Sequence, residues 1–209
     1  MKKVMDKLLN TIKFDKKYVL FSIIIVVLGI ITGSLFIVIL NKTDKTLVIE
    51  YIQKFIEDIK NNNFNFIDTL KNTIIINYLL VIIITILGFT FFLSFSNILI
   101  LFYKAFVIGF SLSSFILTYK IKGILLSIVY IFPHLIINIL LISILTAYML
   151  KLSHNMIKYI INKKELNMRT YFNKYLYILI LFIILFTITS LYESFVVPHI
   201  LKWLTNLLI

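Results

Sequence analysis

The chain has no cysteine, which excludes a disulfide framework, a thiolate nucleophile and a Cys-ligated metal. Two prolines and five glycines in 209 residues leave little material for a flexible linker or a second domain, and no repeat or low-complexity segment interrupts the sequence. The three histidines, His134, His154 and His199, are too widely spaced for one metal site, and H-E-x-x-H is missing. Gly109-Phe110-Ser111 followed by His134 has the residue types of a serine–histidine dyad. It lacks the surrounding glycine turn that exposes a nucleophile, and hydroxyls in apolar helices usually bond their own backbone. The expectation is a protein that is not an enzyme, with no catalytic residues, no cofactor and no metal.

What the chain has in excess is apolar surface. Hydrophobic residues make up 61% and mean hydropathy is +1.03, more than a soluble domain of this length can bury. Runs near the 20 residues that cross about 30 Å of hydrocarbon occur at 19–40, 73–94, 98–118, 124–150 and 175–197. The chain is therefore expected to be all-α: one integral membrane domain over 1–209, a polytopic bundle of about five transmembrane helices. Only Phe95, Ser96 and Asn97 are placed in the connection between the second and third runs, which predicts a tight hairpin. The first run exceeds a signal-peptide core, and Leu40-Asn41-Lys42 offers no small-residue cleavage site, so it reads as a retained helix.

Charge sets the expected orientation. With the N-terminus inside, thirteen of the 21 basic residues fall on the cytoplasmic side: six in the N-terminal tail, six after the fourth run, and Lys104. The N-terminus is predicted to be cytoplasmic. The net charge of +12 then serves topology and contact with anionic membrane lipid, and no nucleic-acid partner is implied.

The segment after the first span carries Leu47, Val48, Tyr51, Ile52, Phe55, Ile56 and Ile59 at helical spacing opposite Glu50, Lys54, Glu57 and Asp58. This predicts an outer amphipathic helix between helices 1 and 2, lying on the bilayer or capping its own bundle, with Glu57 and Asp58 as candidate partner contacts. A weaker amphipathic stretch, Met156, Ile157, Ile160 and Ile161 against Lys158, Lys163 and Lys164, is placed on the cytoplasmic side.

Lipid gives helices no hydrophobic reason to associate, so small residues that let backbones approach are the packing signal. Gly29 and Gly33 form one such stripe, and Ala105, Gly109 and Ser113 another. Polar groups inside spans are costly and tend to be functional. Lys104 can snorkel toward the hairpin. Glu193 faces water, a cation of the bundle or a partner, and is the third candidate partner contact. Asn77 and Asn138 are expected to bond neighbouring helices, and Pro133 to kink or break the fourth run.

The chain resembles the stage II sporulation protein M family of spore-forming bacteria. The resemblance rests on Gly29-x-x-x-Gly33, the stretch from Leu101 to Phe110, Lys122-Gly123, Pro133, and the tail Tyr192-Glu193-Ser194-Phe195-Val196-Val197-Pro198. It departs where members often carry glycine and this chain has Ala105. The resemblance implies a non-catalytic membrane scaffold for engulfment. Such a scaffold would anchor the peptidoglycan-degrading partners, stage II sporulation proteins D and P, at the mother-cell septal or engulfing membrane. The alternative reading is a membrane subunit of a transporter.

Overall fold

The computed structural model describes residues 15–61, 65–90, 93–131, 134–162 and 168–208, and among these there is no strand. The helices are α1 (Lys16–Ile39), α2 (Lys42–Lys60), α3 (Phe66–Phe89), α4 (Ser96–Ile131), α5 (His134–Ile161), α6 (Met168–Phe195) and α7 (Val197–Leu208), with a single 3₁₀ turn at Leu93–Phe95. Five segments are long and apolar enough to cross a membrane, and the protein is a multi-pass membrane protein.

Local signals start the helices. Asp15 caps α1 by accepting from the Lys17 N–H, and Asn65 caps α3 by accepting from the Ile67 N–H at 3.1 Å. Each satisfies one backbone donor that the first turn would otherwise leave unpaired. Pro198 ends α6. It has no N–H to give the Ser194 carbonyl, and its ring clashes there, so the helix stops at Phe195 and α7 begins with proline in its first turn.

Helix α5 is the central post, with 56% of its spanning window buried against 28–33% for the other four spans. It packs on α1, α3, α4 and α6. The core joins Val81, Ile84, Leu101, Leu145, Met149 and Phe186, all fully buried. Such a helix can be apolar all round, whereas the other spans turn aliphatic side chains such as Leu20, Leu35, Ile86 and Ile184 outward, as a lipid-facing surface requires.

The apolar run at 124–150 is divided. Helical geometry fails at Lys120, whose φ is 54° and ψ −124°, a left-handed backbone that lysine adopts only under constraint. After it, residues 121–131 fold back, with Gly123 against the Phe115 carbonyl. A side chain at 123 would collide with that backbone, so glycine is what allows the close return. The fourth span begins at His134 and continues to Ile161. The expected break at Pro133 lies outside the described residues, as does Lys163-Lys164 of the weaker amphipathic stretch. The rest of that stretch belongs to the end of α5, where Met156 is buried against Tyr175.

Residues 121–131, α2 and α7 form a helical cap on the end of the bundle opposite the start of α1. Ile52 and Ile56 pack with Phe115 and Leu126, and Ile59 packs with Val197 and Leu201. Burying each of these isoleucines contributes about 1.5–3 kcal/mol relative to exposure in water. Tyr130 joins cap to bundle: its ring lies 5.6 Å from Phe55, 5.3 Å from Phe115 and 5.8 Å from His134.

Candidate functional site

Three features concentrate the residues that sequence reasoning singled out: a backbone-level seam between α1 and α4, a polar layer at mid-height, and the cap.

The seam joins the two small-residue stripes. A Cβ on Gly29 would sit 2.6 Å from Ala105 Cβ and 2.8 Å from the Phe102 carbonyl oxygen; one on Gly33 would strike the Phe106 backbone, and one on Gly109 the Ile30 carbonyl. Ser34 Oγ donates to the Gly109 carbonyl at 3.2 Å, and the rings of Phe36 and Phe106 meet edge to face at 5.4 Å. Ser113, next on the stripe, is half-buried.

The polar layer follows from registry. Asn77 Nδ2 donates to Ser190 Oγ at 3.0 Å, Asn97 Nδ2 donates to the Ile84 carbonyl at 3.1 Å, and Gly88 lies beside Met149. Taking the helices as parallel with a rise of 1.5 Å per residue, these contacts put Asn77, Lys104, Asn138 and Ser190 all about 18 Å above the Phe89 end of α3. Glu193 and His134 follow at about 22–24 Å. The charges of Lys104 on α4 and Glu193 on α6 act on each other, and that of Glu193 reaches Tyr130. Lys104 thus lies within electrostatic range of Glu193 without a direct ion-pair contact between them. Both are half-buried, held on helices that share no extended packing.

Behind them, His134 and Asn138 lie one turn apart on α5 and are buried. His134 Nδ1, Asn138 Oδ1 and Ser194 Oγ have no hydrogen-bond partner among the described residues. The two asparagines therefore differ: Asn77 bonds a neighbouring helix, while Asn138 leaves its carbonyl oxygen unpaired. Among the described residues no three metal-ligating side chains converge.

On the cap, Glu57 is exposed and Asp58 half-buried, and the Glu57 charge reaches Tyr119. Ile52, Ile56 and Ile59 are 2–7% exposed, whereas Leu47 and Tyr51 are 63% and 72% exposed. The reason is helical phase: Leu47 and Tyr51 stand about 140° and about 100° around the helix from Ile52, on a side that residues 121–131 and the start of α7 do not cover. Glu193 lies below this face, within the bundle, so the three candidate contacts occupy two different levels.

Sequence reasoning passed over Asn97, Ser190 and Tyr130. Asn97 read as a hairpin residue, although it is fully buried and fixes the registry of α3 against α4. Ser190 and Tyr130 carry no local signal, because their partners Asn77 and Phe55 come from distant parts of the chain.

The family model for stage II sporulation protein M matches residues 21–198, a stretch that takes in the seam, the polar layer and most of the cap. The chain belongs to the stage II sporulation protein M family. Comparison with curated proteins and with solved structures gives no match. Membership in the stage II sporulation protein M family and five spans make this a sporulation-related, multi-pass membrane protein. The matched stretch ends at Pro198, in the first turn of α7.

Proposed function

We propose that the protein is a non-catalytic scaffold with its N-terminus in the cytoplasm and its cap outside, holding peptidoglycan-degrading partners at the mother-cell septal or engulfing membrane. The partners this reading names are stage II sporulation proteins D and P. The observation that carries it is the outward side of α2, which leaves Leu47 and Tyr51 uncovered beside Glu50, Lys54 and Glu57. An apolar centre with a charged rim is the composition of a protein contact surface.

The orientation is supported by the twelve basic residues of the N-terminal tail and of the connection after the fourth run, against eight lysines on the cap side. It is tested by single cysteines introduced into the cysteine-free chain. Cysteine at Asn61 or Asn206 is expected to react with an impermeant thiol reagent in intact cells, and cysteine at Asn162 only after permeabilisation. Labelling at Asn162 with protection at Asn61 would invert the topology and remove the outer docking face.

Recruitment is tested by Glu57→Lys with Asp58→Lys, both on the polar face of α2. Rim charges mainly change association rate and salt dependence. A partial loss of septal localisation of tagged hydrolase partners is expected, at unchanged levels of the variant in the membrane. Wild-type localisation with this pair reversed and Tyr51→Ala added would rule α2 out as the docking element.

A further inference from the structure

A cavity of about 550 Å³ opens between α1 and α5 at the end of the bundle away from the cap, lined by Val19, Leu20, Ile23 and Ile144, with Lys16 among its walls. Lys16 is the first residue of α1 and is exposed. From Lys16 to Ile23 the helix rises about 10 Å, which keeps the cavity within the roughly 15 Å of hydrocarbon in one leaflet. Among the described residues the lining is aliphatic apart from that lysine. We infer that this cavity is a binding site for one anionic diacyl phospholipid of that leaflet, an acyl chain lying along Val19, Leu20, Ile23 and Ile144 and the phosphate on Lys16.

Three observations select this occupant. A hydrocarbon-lined groove that opens within a leaflet is filled by whatever hydrocarbon the bilayer supplies. A partner helix would need small residues to bring its backbone close, and the groove offers Val, Leu and Ile instead. The charge then selects among lipids. Lys17 adds a second exposed cation, and the Asp15 carboxylate beside them accepts the backbone N–H of Lys17 as the helix cap. On α5 the same end carries exposed His154, its ring 6.2 Å from that of Tyr18, so polar groups from two helices flank the headgroup level. A basic pocket between spans is the arrangement that retains anionic headgroups. The site lies at the opposite end from the cap and does not depend on the scaffold reading.

The test uses the full-length protein in mild detergent, mixed with phosphatidylglycerol or phosphatidylcholine of identical chains and analysed by native mass spectrometry. Phosphatidylglycerol is expected to be retained about fivefold over phosphatidylcholine, the preference one lysine near a headgroup supplies. Lys16→Gln should abolish the preference while chain binding persists. Leu20→Trp fills the groove and should reduce retention of both lipids. Leu20 is 62% exposed, so the substitution spares the core, and an unchanged circular dichroism spectrum verifies the fold. Equal retention of the two lipids by the wild type would overturn the site. So would wild-type retention by Leu20→Trp, or a preference that survives Lys16→Gln, since either places the lipid elsewhere on the surface.

Discussion

Gly109→Leu is expected to destabilise the bundle by about 3 kcal/mol, the upper end of what overpacking costs. The argument is geometric. Even a methyl group at position 109 would fall on the Ile30 carbonyl, and a backbone atom cannot swing aside as a side chain can. Leucine adds three more carbons, so α1 and α4 must separate along the seam where Gly29, Gly33 and Ala105 also meet. Water would punish that separation by exposing apolar surface, but lipid solvates it without penalty, so little opposes the opening. Gly88→Ala supplies a smaller case. Its added Cβ would meet Met149 Cβ at 2.6 Å, an atom that side-chain rotation does not move, so α3 and α5 must shift slightly, although one methyl group adds far less volume than leucine. Thermal unfolding in detergent should therefore drop sharply for Gly109→Leu and less for Gly88→Ala. Equal melting of Gly109→Leu and wild type would mean that the two helices are not held by this seam.

Much of this architecture could be read from the chain. Five apolar runs mark five spans because hydrocarbon thickness imposes a length on each, and Gly29, Gly33, Ala105 and Gly109 stand out because a chain with five glycines does not place them at four-residue spacing without use. The run at 124–150 was legible only in part. Residues 124–131 are as apolar as a lipid-facing helix, yet Leu126, Val129 and Tyr130 among them pack on Ile52, Ile56, Phe115 and Leu201, while Ile124, Leu125 and Ile128 stay exposed. Composition reports that a segment leaves water, and not whether lipid or protein replaces it. The far end of α5 was cut short for the complementary reason: Lys151 ends a hydropathy window without ending a helix. The amphipathic pattern of α2 gave its buried face, but the uncovering of Leu47 and Tyr51 depends on which side of α2 residues 121–131 and α7 cover. The proximity of Lys104 and Glu193 was hidden for a simpler reason. Each appears singly in its own run, and only the registry fixed by Asn77, Asn97 and Gly88 brings the two to neighbouring levels.

That proximity makes Glu193→Gln the second test. Removing one member of a fully buried ion pair strands the other at a cost of about 3–5 kcal/mol. Lys104 and Glu193 are both half-buried and make no direct ion pair, so separation and screening reduce the expectation to about 1 kcal/mol. A double-mutant cycle decides the cause. If the cost comes from a stranded Lys104, then Lys104→Met combined with Glu193→Gln should recover most of the stability that either substitution loses alone, since an apolar replacement needs no counter-charge. Additive losses would show that the two groups do not sense each other. Partner recruitment separates the remaining roles. A Glu193→Gln protein that melts early but recruits hydrolases normally at wild-type membrane levels assigns the carboxylate to the bundle. Lost recruitment at unchanged melting would instead mean that Glu193 meets a cation brought by the partner, and would move the docking surface from the cap to the flank of α6.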